Sequence, residues 1–88
     1  MSKGVAGLRA VKVLTNVTSG TLDAMKVVYM EVTNSGAVDV TISVNDFTAQ
    51  GHPPSEGIPV LAGTTREIPM EIFNFTATGA VTVVAYGA

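Results

Sequence analysis

The sequence predicts an all-β fold, a small single-domain β-sandwich or barrel of jelly-roll-like character with about five to seven short strands. Three observations lead there. Apolar and polar residues alternate with a period of two over several short runs, as where Ile68, Met70 and Ile72 are set between Glu67, Pro69 and Glu71, the pattern of a pleated strand with one buried face. No segment carries a convincing helical period. β-branched residues run throughout, and the runs are joined by turn formers such as Asn34-Ser35-Gly36 and Ala62-Gly63-Thr64.

The elements follow in order. Residues 1–7 form an N-terminal arm ahead of a single domain at 8–88. In segment 8–14, Val11 and Val13 have strand spacing while the opposite face of Ala10, Lys12 and Leu14 is mixed, so both faces are expected to be partly covered. Segment 21–25 (TLDAM) is the one plausible helical turn. Segment 26–33 puts Val28, Met30 and Val32 on one face. Segment 38–44 is the clearest strand, with Val38, Val40, Ile42 and Val44 against Asp39, Thr41 and Ser43. The intervening Asn34-Ser35-Gly36 turn is expected to fold these two segments into a hairpin. Segment 45–57 (NDFTAQGHPPSEG) is a long loop, because its adjacent prolines donate no ladder hydrogen bond. Strands resume at 58–61, 65–73 and 80–86, with a turn at 74–79. Pro69 places the 65–73 strand at a sheet edge or bulge.

Composition narrows the function. A chain of 88 residues hides only roughly 60–65% of the surface its unfolded form exposes. Yet 47% of it is hydrophobic and 14% charged, against about 25% charged in average soluble domains. Some apolar surface is therefore expected to meet a partner, and self-association as a dimer or trimer is the natural reading. The net charge is −2, and the cations Lys3, Arg9, Lys12, Lys26 and Arg66 are dispersed apart from a thin N-terminal group, which argues against nucleic-acid binding. The chain has no cysteine, so neither disulfides nor thiolate metal sites can reinforce the core. No window approaches the ~18–20 apolar residues of a membrane span. The first residues lack a continuous apolar stretch of the signal-peptide kind, so synthesis in a cytoplasm is expected.

Reactive constellations are sparse. His52, Asp46 and Glu56 are near one another in sequence, but their spacing matches no metal motif and a solvated loop histidine is the simpler reading. No Gly-x-Ser-x-Gly elbow is present. The carboxylates Asp23, Glu31, Asp39, Asp46, Glu56, Glu67 and Glu71 include one pair, Glu67 and Glu71, on a common strand face, but outward positions on strands are usually solvated. A site composed between subunits stays open. No glycine-rich segment joins a strand to a helix, so no nucleotide site is indicated. Asn16-Val17-Thr18 and Asn74-Phe75-Thr76 fit the glycosylation pattern and read as turn chemistry. Phe73 and Phe75 flank Asn74, so both point one way if a strand continues through them. They read first as core or turn packing and second as a binding platform.

The C-terminal third carries a resemblance. Val60-Leu61-Ala62-Gly63-Thr64, Ile68-Pro69-Met70, Phe73-Asn74-Phe75, Ala77-Thr78-Gly79 and the closing Val-rich strand to Tyr86 together resemble small β-sandwich structural proteins of tailed bacteriophages, of the head decoration or cement type. The likeness covers about a third of the chain. It implies a non-enzymatic virion structural protein, made in the host cytoplasm, that binds the assembled head shell and stabilises it, with the major capsid protein or another virion protein as partner. Tail or spike-base components share the style, and a glycan- or receptor-binding module is the third expectation. No catalytic residue, metal or cofactor is expected. Interface candidates are Lys3, Arg9 and Lys12 near the arm, Pro69 on the expected edge, and Phe73 and Phe75.

Overall fold

The computed structural model describes residues 7–22, 26–47, 49–53 and 56–87. It is all-β, a barrel-like sheet of six strands that nearly closes. The strands are β1 (Arg9–Thr21), β2 (Val27–Asn34), β3 (Val40–Val44), β4 (Ile58–Val60), β5 (Thr64–Ile68) and β6 (Asn74–Gly87), and every pairing is antiparallel.

β6 is the spine. It pairs with β1 from Arg9↔Gly87 to Thr21↔Asn74, with β2 through its C-terminal half and with β3 through its N-terminal half. Residues at both ends of β6 have β1 on one edge, so β2 and β3 follow one another along the other edge. β5 then pairs with β2, and β4 with β3. The sheet thus has four rows that bend together, so that β1, β6, β2 and β5 build one half and the remainder of β1 and β6 with β3 and β4 build the other. Sheets turn such corners where strands bulge or break. Here β1 bulges between Leu14 and Ser19, the β2/β3 row breaks at residues 35–39, and the β4/β5 row breaks at Leu61, Ala62 and Gly63. A bridge from Val27 to Ile72 and the bond from Leu22 N to Phe73 O draw the ends together.

Inward-facing residues of both halves form one core that includes Leu22, Met30, Val32, Ile42, Val60, Ile72, Phe75 and Val83. Each such side chain contributes roughly 1.5–3 kcal/mol by leaving water. Gly20 belongs to this packing, since a Cβ there would stand 2.6 Å from Phe75 Cε1 and 2.7 Å from Leu14 Cδ1.

Several sequence expectations are corrected. Segments 26–33 and 38–44 do not form a hairpin, because β2 and β3 both pair with β6 and the chain between them makes the corner. Val38 is left 75% exposed on that corner. A bulge between Val27 and Tyr29 turns Val28 outward while Val27 and Met30 stay in the core. The strand placed at 65–73 ends at Ile68, where Met70 N donates to Ile68 O across Pro69 in a tight three-residue turn, and Met70 is exposed while Ile72 returns to the core. The turn expected at 74–79 is instead the start of β6, and Asn16 sits within β1. Segment 8–14 is only the first half of β1. The proposed helical turn falls largely on residues 23–25, and the arm largely on residues 1–6, both outside the described residues.

Candidate functional site

The long loop after β3 is anchored at its root by asparagines. Asn45 and Asp46 both take left-handed backbone, with φ of 55° and 60°, a conformation that short polar side chains tolerate. Asn45 Nδ2 donates to Glu71 O at 2.9 Å, and its Oδ1 accepts from Phe73 N at 2.6 Å. Asn74 Oδ1 accepts from Asp46 N and Asn74 Nδ2 donates to Asp46 Oδ1, at 2.9 and 3.0 Å. Two connections distant in sequence, after β3 and before β6, are thereby fastened together.

Beneath this root lies a pocket of about 330 Å3 lined by Ile42, Val44, Phe47, Gly57, Ile58 and Met70, with Ser43, Asn45 and Glu56 completing it. Its wall is mostly apolar. On the outer side Phe47 stacks against His52, ring centroids 4.2 Å apart and planes 6° from parallel, and His52 Nδ1 lies 3.2 Å from Glu56 Oε1. These are exposed groups, and surface pairs of this kind contribute little to stability. Among the described residues no group of three or more His, Asp or Glu is arranged to hold a metal ion. Asp46 is engaged with Asn74 rather than with His52.

The outer face of the β2–β6 half carries a second polar grouping. Tyr29 and Tyr86 pack with ring centroids 5.4 Å apart, and Tyr86 Oη donates to Glu31 Oε1 at 3.1 Å. Burial, then a hydrogen bond to the Glu67 carboxylate and the negative charge of Glu67 and Glu31, push the Tyr29 phenol up to about 12 from its usual 10.0. Thr33 and Thr65 share a hydroxyl hydrogen bond one row further along the same face. Glu67 therefore serves Tyr29, and Glu71 lies beyond the end of β5, so the strand-face pair of carboxylates is not formed.

The interface candidates separate. Arg9 and Lys12 are exposed on β1, opposite Gly87 and Ala85 of β6. Pro69 is exposed just beyond β5, and Phe73 is 44% exposed beside the loop root. Phe75 is 1% exposed and packs in the core, so it is withdrawn as a surface contact; the period of two does not carry from Phe73 through to Phe75 because Phe73 precedes the strand. Lys3 lies outside the described residues. A glycan-binding module needs exposed aromatics, and among the described residues Tyr29, Phe75 and Tyr86 are buried, which leaves Phe73 and the half-covered Phe47 at the surface. The asparagine fastening is not legible in the sequence, because Asn45 beside Asp46 and Asn74 at the head of Asn74-Phe75-Thr76 both read as turn formers.

A different pair of features frames the molecule. Val38 and Leu61, the latter 56% exposed, sit together on the corner, where Asn34 Nδ2 donates to both Val38 O and Val60 O, at 2.8 and 3.0 Å. Met70, 42% exposed, and Phe73 lie at the other end of β3. No protein-family model, curated protein sequence or solved structure matches this chain.

Proposed function

We propose that the chain is a non-enzymatic structural protein of a virion, a capsid decoration or cement protein that binds the assembled head shell of a tailed phage. The observation that carries this reading is the pairing of exposed apolar side chains at two opposite ends, Val38 with Leu61 and Met70 with Phe73, while the other two large ones among the described residues, Val13 and Val28, stand on separate strands. β3 separates the two ends by roughly 16 Å at ~3.3 Å per residue. A domain with an apolar contact at each end is suited to bridge two neighbours, which is what a cement subunit does. Large apolar groups left in water on so small a domain mark contact surfaces. Each contact is small, and its effect grows when many copies engage one lattice at once. A protein that binds the assembled shell and not its dispersed subunits stabilises the shell by mass action, with no chemistry required. The major capsid protein is the partner on this reading, with self-association as a dimer or trimer supplying the symmetry, and the virion is its location.

The test is the copy number of this chain relative to the major shell protein in purified particles, by quantitative mass spectrometry. A number comparable to the shell protein is the expected result. A handful of copies moves the protein to the tail or spike base, and absence from particles overturns the virion reading.

A further inference from the structure

We infer that the free edge of β1 is a docking site for an extended acidic peptide segment of another protein, which adds a strand to the sheet beside β1. The inference stands on this edge alone and does not depend on the virion reading. β1 hydrogen-bonds β6 along one side, and no described strand pairs with its other side. None of its 13 residues is buried, Val11, Leu14 and Val17 are only partly covered by the core, and Val13 is 57% exposed. A row of backbone N–H and C=O groups that no described strand pairs, beside a half-covered apolar stripe, is the template used when a sheet accepts an additional strand.

On the opposite edge β4 resists this. Pro59 in β4 has no N–H to offer, its carbonyl accepts from the Arg66 guanidinium at 3.1 Å, and β5 stops at Ile68, just before Pro69. β1 contains no proline. Proline thus blunts the β4 part of that edge, whereas β1 keeps an N–H on every residue.

Charge selects the occupant. Across Arg9–Thr21 the ionisable side chains are Arg9 and Lys12, both exposed, with no carboxylate, in a chain whose net charge is −2. A segment carrying Asp or Glu opposite these two cations is complementary, whereas a second copy paired antiparallel about a two-fold axis would set them against its uncharged far end and gain no charge complementarity. Shape favours the same choice. Register irregularities between Ala10 and Lys12, Leu14 and Val17, and Val17 and Ser19 give β1 a bent course. Two rigid edges bent in this way match poorly, while a flexible peptide follows the bends as it orders.

The experiment is an amide NMR titration of the full chain with two synthetic peptides. One alternates valine and threonine and carries two glutamates; the other has lysines in their place. The acidic peptide is expected to shift amides between residues 9 and 21, to slow hydrogen exchange on alternate β1 amides, and to bind roughly 3- to 10-fold more tightly than the lysine peptide at low salt. The double variant Arg9→Glu, Lys12→Glu, at two exposed positions, is expected to reverse that preference. Equal affinity for the two peptides, shifts confined to other strands, or no shift at millimolar peptide overturns the inference. So does sedimentation of the free chain as a dimer whose β1 amides are already protected, which makes a second copy the occupant.

Discussion

At the residue scale, the alternating pattern was sufficient wherever a strand is regular. Met30, Val32 and Ile42 are buried as their spacing demands. Asn34 shows where the pattern fails. It reads as a turn former, yet the corner pulls it into the core, where its side chain donates to Val38 O and Val60 O and accepts from Gly36 N, leaving none of its polar atoms unmatched. Nothing local distinguishes a turn asparagine from one that holds two rows of a bent sheet together. Tyr29 allows a direct test at this scale. Its phenol is raised to about 12 in the fold, above the ordinary ~10 it recovers on unfolding. The unfolded chain thus releases the proton first, so the stabilising contribution of the neutral phenol is complete below pH ~10 and is lost as pH rises toward 12. Alkaline titration followed by phenolate absorbance should show Tyr29 ionising late, and Tyr29→Phe should remove that late step and flatten the alkaline fall in stability. Survival of the late step in the variant assigns it to another group.

At the element scale, what the sequence concealed was mostly bending. β1 turns Val11, Leu14, Val17 and Gly20 toward the interior at a spacing of three, because each bulge inserts a residue and resets the alternation. A period-two reading of the same stretch finds a mixed face and stops early. β6 keeps strict alternation through its bend, and there the small residues of Ala77-Thr78-Gly79 imitate a turn. The long loop was legible from its prolines, and Pro69 did mark the end of an edge strand, β5, rather than its middle. Gly57 carries the prediction here, because it brings the end of the loop onto β3 and a Cβ at that position would collide with the Ile42 carbonyl oxygen. Backbone cannot yield as a side-chain tip does. Gly57→Ala should lower stability by about 1–3 kcal/mol, read as a lower denaturant midpoint with an unchanged slope. Gly36→Ala, whose nearest neighbour is Asn34 Oδ1 at 3.4 Å, is the control and should shift the midpoint far less.

At the scale of the whole molecule, the fold class was readable from the alternation and turn spacing, whereas the surface was not, since the exposed apolar residues Val38, Leu61, Met70 and Phe73 come from three separate connections that only the bent sheet assembles. Val38 and Leu61 are far apart in sequence and meet because the corners of the β2/β3 and β4/β5 rows coincide, joined by the bond from Ala62 N to Asp39 Oδ1 at 2.9 Å. Met70 and Phe73 meet the loop root because Asn45 donates to Glu71 O, between them, and accepts from Phe73 N. If the protein bridges neighbours, both ends are needed at once, and that requirement separates bridging from simple adhesion. The variants Val38→Ser, Leu61→Ser and Met70→Ser, Phe73→Ser change exposed positions, where substitutions usually alter stability by no more than about 0.5 kcal/mol, so each pair should remain folded. Loss of either pair should cut occupancy on particles by roughly tenfold or more, because a bivalent contact becomes monovalent. Particles retaining the monovalent variant should also lose their added resistance to heat. Full occupancy and full heat resistance after removal of one pair, measured by mass spectrometry and thermal release of the genome, reduce that end to ordinary exposed surface and leave a one-ended attachment.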